Sequence, residues 1–151
     1  MICRMHAFLE RFEAGRWEHL PSPSVLPWTY ALFSWLGGVR QGAAPHVAPL
    51  AERRCLPSDM SWPVTLAYAT LQESAFAMSW VSVQELLEFD YDAVVTDLRP
   101  AYADTTRTVH YHELLGEAYF QQLAKLSREG QGRIVFWFEF VETPDDEDTP
   151  L

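Results

Sequence analysis

Long apolar runs, cysteine and basic charge are scarce in this 151-residue chain, and each scarcity excludes something. Apolar stretches are short. The longest, such as Ile134, Val135, Phe136, Trp137, Phe138, fall far below the roughly 20 residues that cross a bilayer. The opening Met1-Ile2-Cys3-Arg4-Met5-His6 is followed by no apolar h-region and no small-residue cleavage site, so no leader is expected. Cysteine is limited to Cys3 and Cys55, too few for a disulfide framework and suited to a reducing compartment. Basic charge is scarce as well: 11 Lys+Arg face 21 Asp+Glu, for a net charge of −10. Such a balance repels phosphate backbones and anionic membranes and attracts basic surfaces. The expectation is a cytoplasmic domain that binds neither nucleic acid nor membrane.

What the chain has in quantity is apolar and aromatic surface. A 48% hydrophobic content with six Trp, nine Phe and six Tyr is incompatible with disorder, and the length suits one core. The pattern predicts an α+β fold: one domain over residues 1–141, with an acidic tail over 142–151. Cys3, Met5, Ala7 and Leu9 alternate with Arg4, His6, Phe8 and Glu10, then Ala14-Gly15 turns the chain into Arg16–Leu20. This reads as an N-terminal β-hairpin. Pro21, Pro23 and Pro27 make an extended linker. A helix is predicted over 29–39, and loop over 41–61. Residues 64–71 are ambiguous between strand and helix, and the alternation of Val64, Leu66 and Tyr68 tips the reading toward a strand. Ser82-Val83-Gln84-Glu85 is a capping box before a short helix, and 90–108 looks irregular. Leu115, Tyr119, Leu123 and Leu126 form one stripe of a helix over 110–129. Residues 133–141 read as a strand apolar on both faces, hence central, with 2–10 as its neighbour. The sum is a mainly antiparallel sheet packed by two to four helices.

No combination of residues assembles a catalytic centre. His110, His112 and Glu113 lack the i, i+4 spacing that puts two imidazoles on one helical face. Cys3 and His6 would point to opposite faces of a strand, which disfavours a thiol–imidazole dyad. Arg4 and His6 share a face and, with Arg16 or His19, could form a modest anion site. Gly37-Gly38 lies at a helix end, where it cannot cradle phosphate. No catalytic residue, metal or cofactor is expected. The acids Asp90, Asp92 and Asp97, with the tail acids Asp145, Asp146, Glu147 and Asp148, are the candidate contacts to a protein partner.

The opening Met1-Ile2-Cys3-Arg4-Met5-His6 with Trp17, the block Tyr30-Ala31-Leu32-Phe33-Ser34-Trp35-Leu36-Gly37-Gly38-Val39-Arg40, the segment Pro49-Leu50-Ala51-Glu52-Arg53-Arg54-Cys55-Leu56-Pro57-Ser58-Asp59-Met60-Ser61 and Ser79-Trp80-Val81-Ser82-Val83-Gln84-Glu85-Leu86 occur in that order. Together they resemble a family of small, uncharacterised phage and bacterial proteins that open Met-x-Cys-Asp-Ile-His. The resemblance spans about residues 1–90. That family's Asp-x-His is Arg4-x-His6 here, and its His-Ser-His-Ser-Trp is Phe76-Ala77-Met78-Ser79-Trp80. The resemblance implies an ancestral metal or phosphoester site whose polar residues are largely replaced, with His6 retained. Two classes of function follow. One is a non-catalytic binder, most concretely an immunity-type inhibitor that neutralises a cognate basic toxin or enzyme encoded nearby. The alternatives are a phage-derived accessory or adaptor protein, or an enzyme related to the metal-dependent ancestor.

Overall fold

The computed structural model describes residues 2–22, 25–39, 47–97 and 107–142. Its organising element is β6 (Arg133–Val141), the doubly apolar run. Residues 133–139 are all buried, because β6 lies inside a four-stranded antiparallel sheet with layers on both faces. On one side it pairs with β1 (Ile2–Glu13), from Ile2↔Val141 to Glu10↔Arg133. On the other it pairs with β3 (Phe76–Ser82). β2 (Arg16–Leu20) completes the order β2-β1-β6-β3 by folding back from the Ala14-Gly15 turn. The expected hairpin, the central C-terminal strand and its neighbour are all present.

The sheet separates two apolar layers. One face carries Cys3, Met5, Leu9, Ile134, Phe136 and Phe138 against α1 (Tyr30–Gly37), α3 (Val83–Glu88) and α5 (Glu117–Leu126). Trp35 of α1 is fully buried there and meets the rings of Phe89, Tyr91 and Tyr119 at centroid distances of 5.0, 5.9 and 5.9 Å. Gly37 lets α1 close on the sheet: a Cβ there would stand 2.4 Å from the Phe138 ring. The other face carries Val135 and Trp137 beneath α2 (Trp62–Leu71), which contributes Val64, Ala67 and Tyr68.

Three sequence expectations change. Residues 64–71 belong to the helix α2 rather than to a strand. Pro63 in its first turn fits an N-terminus, where its missing N–H costs nothing. The expected helix over 110–129 is two helices, α4 (Tyr111–Leu115) and α5, broken at Gly116 with φ 82° and ψ 166°. Within the stretch read as irregular, β4 (Val94–Asp97) and β5 (Arg107–His110) pair antiparallel as a separate two-stranded sheet. No described helix is long and apolar enough to cross a membrane.

Candidate protein-binding surface

Building outward from the core, the first notable feature is a buried pair of opposite charges. Glu10 on β1 and Arg133 on β6 face each other in register; their side chains are 0% and 6% exposed. Glu10 Oε1 accepts from Arg133 Nε at 2.8 Å, and Oε2 accepts from the Ser61 backbone N–H at 2.7 Å. Arg133 also reaches Asp59 Oδ1 at 3.0 Å and donates to the Asp59 carbonyl at 3.4 Å. The Trp17 ring covers the guanidinium, 3.9 Å from its carbon to the ring centroid. Charges this deep persist only when paired and hydrogen-bonded throughout. Here the pair ties two central strands to residues 59–61, and thereby fixes where α2 begins.

Immediately beyond that tether stands Trp62, 72% exposed. One turn on, Leu66 is 53% exposed, and across the hairpin Phe12 is 52% exposed with its ring 5.2 Å from Trp17. Phe12, Arg16, Trp17, Asp59 and Trp62 line a shallow cavity of about 260 Å³. The sequence of α2, Trp-Pro-Val-Thr-Leu-Ala-Tyr-Ala-Thr-Leu, contains no charged residue. In a chain with 32 charged side chains, this helix exposes Trp62, Pro63, Leu66, Ala69 and Thr70 with no charge among them, on a fixed frame. Single exposed apolar residues are ordinary, whereas patches mark interaction sites. Acids stand at its ends: Asp59 before α2 and Glu73 after it, both exposed.

The acids chosen from sequence are only partly brought together. Asp90 and Asp92 share an exposed turn after α3, where the Asp92 N–H donates to Asp90 Oδ1 at 3.1 Å. Asp97 closes β4 at its far end, opposite Arg107. Asp145, Asp146, Glu147 and Asp148 lie outside the described residues. Sequence reasoning missed the α2 surface altogether. The absence of charge over 62–71 is visible in the sequence, but its pattern leaves strand and helix both open.

Other candidates resolve into separate roles. Cys3 is buried in the main core, where loss of solvent raises its thiol to about 11, while His6 lies on the opposite face. His6 Nε2 sits 2.9 Å from Glu139 Oε1. A carboxylate is therefore part of the Arg4–His6 surface, Arg16 is engaged near the hairpin turn with Glu18 at 3.5 Å, and His19 packs on Phe8 with ring centroids 5.7 Å apart. His110 Nδ1 meets the Asp92 carbonyl at 2.6 Å, whereas His112 packs on Phe120 with centroids 4.8 Å apart. No group of three or more His, Cys, Asp or Glu among the described residues could hold a metal ion. The positions at which the family resemblance would put polar ligands do not converge either. His6 and Met78 lie on the α2 side of the sheet on strands separated by β6, about 10 Å apart by strand spacing. Trp137 stands on β6 between them, and Phe76 joins the opposite layer.

Comparison of the chain with protein-family models, with curated proteins and with solved structures returned no match.

Proposed function

We propose that this domain is a protein-binding module without catalysis of its own, and most concretely an immunity-type inhibitor that holds a cognate basic toxin or enzyme inside the cell that makes both. The observation that carries the reading is the charge-free outer face of α2, with Trp62 at its head. Interface energetics concentrate in a few large, rigidly held side chains, Trp foremost, surrounded by contacts that exclude water. The buried Glu10–Arg133 pair, bonded to Ser61 and to the exposed Asp59, supplies the rigidity. The acidic surface supplies the second ingredient, since a net charge of −10 accelerates encounter with a basic partner. Asp90, Asp92, Asp97, Asp145, Asp146, Glu147 and Asp148 are assigned to that steering role rather than to the centre of contact. No cofactor enters this function.

The test is co-expression with the product of the adjacent gene. Wild-type protein binds it and rescues growth without chemically altering it. Trp62→Ala, at an exposed position that leaves the fold intact, weakens binding by about 30-fold or more, the ~2 kcal/mol of a hot-spot residue. Rescue and affinity that survive both Trp62→Ala and Leu66→Glu would remove α2 from the interface. Rescue that depends on turnover would replace the binder with an enzyme.

A further inference from the structure

The loop ahead of α2 is pinned to the outer edge of β3. The Arg54 N–H donates to Ser79 Oγ at 2.8 Å, and its guanidinium donates to the Trp80 carbonyl at 3.2 Å. The same guanidinium grips the Glu85 carboxylate through two bonds of 2.7 and 2.6 Å and lies 4.5 Å over the Trp80 ring. Earlier along β3 the pairing with β6 is irregular. The register runs from Phe76↔Phe138 to Ser79↔Phe136, so one extra residue is accommodated in β3. Ala77 takes φ 53° to do it, a left-handed conformation that a residue with a Cβ rarely adopts. Bulges bend an edge strand and re-aim its side chains, often beside functional sites. Between the pinned loop and the bulge lies a cavity of about 480 Å³, lined by Arg53, Arg54, Cys55, Leu56, Tyr68 and Met78 together with Ala77.

The lining divides by chemistry. Leu56, Tyr68, Ala77 and Met78 make apolar walls, and no carboxylate is among the lining residues. Arg54 is matched by Glu85, but Arg53 is exposed and gives one bond, to the Gly37 carbonyl at 3.0 Å. Arg53 borders both this cavity and a smaller one lined by Gly37, Gly38, Pro49 and Glu52, and its guanidinium makes no ion pair among the described residues. A volume in the small-molecule range, apolar walls and one cation at the entrance select a complementary ligand. We propose that this cavity is a binding site for a small, flat apolar molecule carrying one anionic group. The site is independent of the outer face of α2 and of the partner assigned to it.

The chain carries its own reporter. Cys3 has no exposed surface, whereas Cys55 is exposed at the cavity, so iodoacetamide on the folded protein reads Cys55 alone. The probe is 8-anilinonaphthalene-1-sulfonate, with uncharged N-phenyl-1-naphthylamine as its control. Saturating sulfonate probe is expected to slow Cys55 alkylation severalfold. Arg53→Gln should weaken the sulfonate about tenfold, a typical loss for a charge-assisted bond, and leave the uncharged dye almost unchanged. Met78→Trp should fill the cavity and abolish binding of both dyes. Should that variant not fold, Cys55→Trp at the exposed mouth does the same, read by fluorescence. Unprotected Cys55 in the presence of bound dye would overturn the proposal, because the dye would then sit elsewhere. Equal sulfonate affinity in wild type and Arg53→Gln would overturn the anionic half of it.

Discussion

At the scale of single residues, the two strongest electrostatic arrangements predict opposite experimental signatures. The Glu10–Arg133 pair is shut away from solvent, so removing one member strands the other. Glu10→Leu or Arg133→Met should each cost about 3–5 kcal/mol, against a total of about 5–15 for a domain. The double variant Glu10→Leu with Arg133→Met should recover part of that loss, since no charge then remains unpaired. Part stays lost, because the Ser61 N–H no longer has its acceptor. Urea unfolding of the three variants gives the coupling; single losses below about 1 kcal/mol would mean that water reaches the pair. Glu85 behaves differently. Hydrogen bonds from Arg54, together with those from Ser82, hold its carboxyl down at about 2, against the usual 4.5. A depressed folded pKa stabilises above the unfolded value and loses that stabilisation as pH falls. The contribution is therefore complete above pH 5 and disappears between about 4.5 and 2. Both partners are roughly one-third exposed, so after solvent screening it is worth about 1–2 kcal/mol. Melting temperatures from pH 7 to pH 2.5 should fall more steeply in wild type than in Glu85→Gln, and the two curves should converge at the acid end.

At the scale of elements, legibility depended on whether the local signal was of one kind. β6 was readable because a run apolar on both sides, bounded by Gly132 and a polar end, has one good solution. The capping box at Ser82 was readable because its two reciprocal bonds, Glu85 N–H to Ser82 Oγ at 3.0 Å and Ser82 N–H to Glu85 Oε1 at 3.0 Å, need that spacing. α2 was not readable. It is apolar on its packed side and on its exposed side, so no 3.6-residue contrast survives, and Val64, Leu66 and Tyr68 mimic a strand. The same property that hid the helix is what makes its outer face a candidate interface. The break between α4 and α5 was hidden because the Leu115–Tyr119–Leu123–Leu126 stripe continues across it. Gly116 explains the break: φ 82° with ψ 166° is a region that only glycine occupies comfortably, and a Cβ there meets nothing within 4 Å. Gly116→Ala should therefore cost about 1–3 kcal/mol of pure backbone strain with no steric component. Thermal unfolding measures it; a neutral substitution would mean that the two helices merge into one when the glycine is removed.

At the scale of the whole molecule, the proposed binding function divides its labour between charge and apolar surface, and kinetics can separate them. Composition made the charge legible and left the apolar anchor illegible, because an anchor exists only once α2 is folded onto β6 and tethered through Glu10. A net charge of −10 acts over a Debye length of about 8 Å at physiological ionic strength, so under this proposal it governs the approach of a basic partner. Once the partner is docked, exposed ion pairs contribute only about 0–1 kcal/mol each, while a desolvated Trp contributes about 2 or more. Neutralising Asp145, Asp146, Glu147 and Asp148 together should thus slow association with the product of the adjacent gene and leave its dissociation nearly unchanged. The association rate of the wild type should fall with added salt, and that of the neutralised variant should fall less. Trp62→Ala should do the reverse, accelerating dissociation with an association rate that keeps the wild-type salt dependence. Stopped-flow mixing of the pair across about 20–500 mM salt measures both rates, a range that shortens the screening length severalfold. Equal slowing by both variants would mean that charge and anchor act in a single step, and an association rate insensitive to salt would mean that the acids play no part in recognition.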